Sequence, residues 1–221
     1  MSTQLFTAIK SGDRSAVDDL LDRDPRLISA RDDSGLSPIL AALYRGQTEI
    51  ASAILRRKPE LSVYEAAAAG DADRVRELVD REPHLASADS ADGYSPLGLA
   101  AFFKHRAVVK YLLVRGADVH ATSRQGRFTP LHSAVATDAA ACDAEIVRLL
   151  VGAGANPNAR SAAGNTPLHT TAFTGDRECL ELLLAHGGDP TIKNGQGKTP
   201  SDLATDRGHD AVARRLGATG R

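Results

Sequence analysis

Gly164-Asn165-Thr166-Pro167-Leu168-His169-Thr170-Thr171-Ala172-Phe173-Thr174-Gly175-Asp176-Arg177-Glu178-Cys179-Leu180-Glu181-Leu182-Leu183-Leu184-Ala185-His186-Gly187-Gly188-Asp189-Pro190 reads as two short antiparallel helices. Thr166 is a good N-cap, because its hydroxyl can accept a backbone N–H that the first turn leaves unpaired. Pro167 follows at the first helical position, where its missing N–H costs nothing and its φ is already helical. Gly175 closes the first helix. Leu180, Leu182, Leu183 and Leu184 give the second an apolar side, and Gly187-Gly188 end it by admitting positive φ. Two helices this short bury too little surface to fold alone. They need neighbours like themselves.

Such neighbours are written along the chain. Thr-Pro or Ser-Pro recurs at Ser37-Pro38, Ser95-Pro96, Thr129-Pro130, Thr166-Pro167 and Thr199-Pro200, the last four spaced by 34, 37 and 33 residues. Thr-Pro-Leu-His stands at 129–132 and 166–169. Gly-Ala-Asp stands at 116–118, Gly-Ala-Asn at 154–156 and Gly-Gly-Asp at 187–189. This combination in register resembles the ankyrin-repeat family over nearly the whole length. The Ala/Arg-rich composition and the Val63–Asp71 stretch look like those of a stand-alone prokaryotic member.

The resemblance implies an all-α ankyrin-repeat solenoid of about seven helix–turn–helix units with short β-hairpin-like fingers, forming one domain over 1–221. Aligned on the Thr-Pro position, the units start near 3, 37, 61, 95, 129, 166 and 199. The first and last are caps. Between units two and three the Arg57-Lys58-Pro59-Glu60 turn leaves no room for a finger, and Pro59 ends the preceding helix. Asp22-Arg23-Asp24-Pro25-Arg26-Leu27 recurs as Asp80-Arg81-Glu82-Pro83-His84-Leu85, an offset of 58 residues that marks a duplication of unit pairs. Unit five is longer by four residues than the 33-residue spacing of unit six, within Ala136–Asp143. Four residues is about one helical turn, so its first helix is expected to gain a turn.

Composition narrows the function. The 221 residues carry a net charge of −1, with 42% hydrophobic and 25% charged residues. No basic field exists to attract nucleic acid or an anionic membrane. No apolar run is long enough to span a bilayer, and the N-terminus lacks a signal-peptide pattern. Cys142 and Cys179 make no metal spacing and no disulfide framework, so they read as an inert thiol and a buried packing group in a reducing cytoplasm.

Motifs for chemistry are missing. There is no Gly-x-Ser-x-Gly, no His-Glu-x-x-His and no phosphate loop beyond a superficial match at Gly195–Thr199. In the family, the histidine of Thr-Pro-Leu-His bonds backbone within and between units, which accounts for His132 and His169. No cofactor and no metal are expected, and the chain is not read as an enzyme. A small-molecule or metal-dependent enzyme is the alternative, disfavoured by the same lack of a catalytic constellation.

The family resemblance instead points to protein–protein interaction, as scaffold or inhibitor. Partner-facing positions in the family are the finger tips before Thr-Pro and two positions late in each first helix. Carried onto this sequence they include Tyr44, Arg45, Tyr94, Phe102, Phe103, Phe128, Phe173 and Thr174, with Ala136 and Thr137 in unit five. Six of the nine aromatic residues fall there. A continuous exposed aromatic strip would be typical of interface hot spots, with Arg45, Lys104, Arg124 and Arg127 as a basic rim. The competing reading packs these aromatics sideways on the next repeat. A monomer that binds another protein, with no nucleic acid and no membrane, is the resulting expectation. In unit six, Asn165, Phe173 and Thr174 are where function is expected.

Overall fold

The computed structural model describes residues 1–90, 93–136 and 142–219. Among them are fourteen α-helices in seven pairs and no strand. The pairs are α1 (Ser2–Ser11) with α2 (Arg14–Arg23), α3 (Pro38–Tyr44) with α4 (Thr48–Arg56), α5 (Val63–Ala69) with α6 (Ala72–Arg81), and α7 (Pro96–Phe102) with α8 (Arg106–Val114). They continue with α9 (Pro130–Val135) and α10 (Ala144–Gly152), α11 (Pro167–Thr174) and α12 (Arg177–Ala185), and α13 (Pro200–Asp206) and α14 (Asp210–Thr219). Two 3-10 turns, Pro25–Ser29 and Pro83–Ser87, repeat the 58-residue duplication in three dimensions.

Most helices are specified at one or both ends. Ser37, Ser95, Thr129 and Thr199 accept a backbone N–H from the first turn, with proline following each. Asp13, Asp71, Asp143 and Asp176 do the same for second helices. Gly12, Gly70 and Gly175 end first helices in the left-handed region.

The first helices pack on one another in one layer and the second helices in another. One core runs between the layers from Leu5 to Leu216, through Ile54, Val79, Leu112, Leu150 and Leu183. Neighbouring units are also bolted by histidine. The Thr129 amide donates to His132 Nδ1, so Nε2 carries the proton and donates to the Asn165 carbonyl of the next unit at 3.0 Å. His169 repeats this with Thr166 and the Lys198 carbonyl.

The fingers are tight turns closed by hairpin-type bonds, such as Ser161 N–H to the Asn165 carbonyl and Gly164 N–H to the Ser161 carbonyl. Consecutive fingers are linked by backbone bonds, from Arg124 to Gly93, Ala162 to Gly126 and Gly195 to Ala163. The finger between units two and three is absent: six residues, 57–62, join α4 to α5. Lys58, before Pro59, has a φ of +51°. The N-cap of α5 is Ser62, one residue beyond the aligned start.

Two expectations fail. First, α9 gains no turn; it stops at Val135, and Ala136 is extended. The reason is Lys104, whose ammonium donates to the carbonyls of Ala134 (2.5 Å) and Ala136 (3.2 Å) and so satisfies the helix end. The rest of the insertion, 137–141 with Thr137, lies outside the described residues. Second, the cysteines are not free thiols. Cys142 and Cys179 are joined as a disulfide between units five and six, with Cα atoms 6.4 Å apart. Spacing in sequence could not reveal it, because stacking units brings residues 37 apart into contact.

Candidate protein-interaction face

A second, smaller cluster borders the main core, with Leu43 and Tyr64 packed against both. Leu40, Ala68 and Leu99 are buried together, one from each first helix of units two, three and four. Because the main core occupies the side of this layer that meets the second helices, the small cluster lies on the opposite, inner face. Leu36, Tyr44, Tyr64, Tyr94 and Phe103 pack against it, each half-buried.

Three predicted residues come together here. The Tyr44 ring centroid is 5.5 Å from Phe103 and 6.1 Å from Phe102, and Phe102 meets Phe103 edge-on at 5.0 Å. Such geometry is favourable for aromatic pairs. Units two and four thus touch across unit three, whose run of alanines at 66–69 keeps the face low between them. Tyr94, in the finger of unit four, joins the cluster through the same inner core.

The other predicted residues stand apart. Phe128 is 40% exposed and meets His132 edge-on at 6.0 Å. Phe173 is 42% exposed, with the Arg207 guanidinium 3.7 Å above its ring, a cation–π contact. Thr174 donates its hydroxyl to the Thr170 and Thr171 carbonyls inside its own helix. Asn165 is a joint of the scaffold: its carbonyl accepts from His132 and its Oδ1 accepts from Asn194. No ring contact links the cluster of units two to four to Phe128 or Phe173 among the described residues.

Of the basic rim, Arg45 is exposed and bonds the Ala41 carbonyl. It faces Asp32 in the neighbouring finger. Burial pushes the Asp32 carboxyl up, but the Ser34 hydroxyl, the Leu36 and Ser34 amides and the Arg45 charge together hold it below its ordinary value. Lys104 is a helix cap instead, as described above.

Tyr64 was missed by sequence reasoning. It stands where Leu97, Leu131 and Leu168 are fully buried in their units. A tyrosine at that position was the available signal. Beside it Glu65 replaces the histidine of Thr-Pro-Leu-His. Its carboxylate accepts from the Ser62 amide and hydroxyl and from Arg31. Burial pushes Glu65 up, yet hydrogen bonds from Ser37 and Ser62 and the charge of Arg31 outweigh it and hold the group ionised.

A family model for ankyrin repeats in three copies matches residues 63–161 and again 131–220. The chain belongs to the ankyrin-repeat family. It is 32% identical over 173 residues to intracellular phospholipase A2 of Caenorhabditis elegans, covering 76% of this chain and 14% of that protein. It is 29% identical over 146 residues to ankyrin repeat and SAM domain-containing protein 6 of Rattus norvegicus, covering 66% and 13%. A putative ankyrin repeat protein of Acanthamoeba polyphaga mimivirus is 28% identical over 178 residues, covering 75% and 23%. The ankyrin chain therefore spans about one seventh of the first two relatives and under a quarter of the third. Among its described residues no helix is long and apolar enough to cross a membrane.

Proposed function

We propose that this ankyrin-repeat chain is a non-catalytic binding module, a scaffold or an inhibitor, that acts as a monomer. It engages a partner protein through the inner face of units two to four. The observation that carries this reading is the Tyr44–Phe102–Phe103 cluster, three large side chains gathered without being buried. Ankyrin repeats mediate protein–protein interaction, and rigid aromatics on a preorganised scaffold are the usual anchors of such interfaces. Phe128 and Phe173 are flanking contacts. The phospholipase activity named for one relative stays with that protein, since the shared segment is a small part of it. The charge of −1 argues against nucleic acid.

A cytoplasmic location belongs to the same proposal. It can no longer rest on free cysteines, and in a reducing compartment the Cys142–Cys179 pair would stand open at rest. The test is affinity capture from the native host, with wild type compared to the Phe102→Ala/Phe103→Ala chain, followed by a binding isotherm on the protein that is lost. Retention of the same proteins at the same affinity by a folded double variant overturns the proposal.

A further inference from the structure

We infer that the Cys142–Cys179 disulfide is an exchange site for a small thiol of the glutathione class, which opens a clamp between units five and six without unfolding the solenoid. The two sulfurs differ in access. Cys179 is 0% exposed, whereas Cys142 is 9% exposed and lines an open cleft of about 470 Å³ with Lys104, Arg106, Asp143, Arg148 and Glu178. An incoming thiolate therefore reaches the Cys142 sulfur. The S–S bond breaks, the new bond joins the thiol to Cys142, and the electron pair leaves on Cys179. Cys179 is the third residue of the nine-residue α12, so the helix N-terminus offsets part of what its burial and the Asp176 carboxylate cost the leaving thiolate. A second thiolate attacks the small-thiol sulfur of the mixed disulfide, forming the small disulfide and releasing the Cys142 thiolate, and the two protein thiolates take up the two protons that the small thiols gave to solvent. Two thiols are oxidised and the protein pair is reduced; the oxidised small disulfide reverses the sequence.

The clamp is separable from the fold. Leu131, Val147, Leu150, Leu168, Leu180 and Leu183 are all 0% exposed and hold these units together without it. Asp176 provides a second tie, since its carboxylate accepts both the Cys142 and Cys179 amides. Opening the bond therefore removes the covalent tie at Cys142, two residues before α10, while the Asp176 tie and the core stay in place.

The experiment equilibrates the full chain in buffers of reduced and oxidised glutathione, blocks thiols and reads intact mass, far-UV circular dichroism and amide exchange. The expected result is a two-electron transition with the same helical signal at both ends. Amide exchange at the start of α10 should be about tenfold faster or more in the reduced form. Cys179→Ser should take up one glutathione on Cys142, and Cys142→Ser none on Cys179. Three results overturn the inference: no disulfide at any ratio, global unfolding on reduction, or an adduct confined to Cys179. So does stoichiometric metal on the reduced chain, because the two sulfurs and an Asp176 oxygen lie within 4.8 Å of one another and would then be ligands.

Discussion

Arg31 reaches across the fingerless junction to Glu65, its guanidinium Nη1 3.0 Å from the Oε1 of a carboxylate whose side chain is 7% exposed. This pair spans units two and three where no finger is present to do so. Glu65→Ala would leave Ser62 and Arg31 without their acceptor and remove a capping box. The expected cost is about 2–4 kcal/mol, against about 1 kcal/mol for Arg31→Ala, whose side chain is half exposed. Urea midpoints at constant m-value check the order of the two.

Phe102 and Phe103 should separate by experiment. Phe103 packs on the inner cluster with Leu99, and Phe102 touches Tyr44 and Phe103 without being part of it. Phe103→Ala should lower both stability and partner affinity. Phe102→Ala should weaken binding by about 2 kcal/mol, roughly thirtyfold, with a melting temperature close to wild type. Equal destabilisation by both would make Phe102 a packing residue.

The histidine bolts set a pH dependence. Burial pushes His105, His132 and His169 below their ordinary value of 6.5; the carbonyl each one bonds pulls the other way but loses. His169 also bears on His132, and Arg160 on His169, in the same downward direction. A group whose pKa falls on folding binds protons more readily when unfolded. Stability is therefore fully present above about pH 6.5 and declines as the pH falls toward the folded values. Denaturant midpoints should drop between about pH 7.5 and pH 5.5, before the carboxylates titrate. The His132→Gln/His169→Gln chain should be less stable and show a flatter profile; an unchanged slope would mean these rings do not set it.

Gly70 and His105 interlock. A Cβ on Gly70 would lie 2.5 Å from His105 Nδ1, at a φ of +77°, while His105 Nε2 bonds the Ala68 carbonyl at 2.9 Å. Gly70→Ala is expected to cost more than the roughly 1 kcal/mol of a positive-φ substitution alone. Combining it with His105→Ala should recover the steric part. A double-mutant cycle gives that coupling directly.

The scaffold was legible because its determinants are local. Caps such as Thr129 and Thr199, the prolines after them and the leucine faces recur in fixed register, and even the absent finger follows from counting residues between Ser37 and the next helix. What escaped was set by contacts between units. Lys104 reaches residues 30 and 32 positions ahead to stop α9, so length alone misplaced the extra residues. The cysteine bond depends on stacking in the same way. At the candidate face, the periodic alignment placed Tyr44, Phe102 and Phe103 near one another but could not show that Tyr64 fills the neighbouring position, or that Arg207 covers Phe173.

The glycine–histidine interlock has a meaning for inheritance. Gln47 lies over Gly12 as His105 lies over Gly70, and the two contacts are related by the same 58-residue offset that relates the duplicated sequences. His209 lies over Gly175 in the same way, so the contact joins each of these units to the one that follows. Copied in twos, the contact travels intact. In units one to four each pair of repeats thus carries a complete copy of the contact, and the fingerless turn lies between one pair and the next.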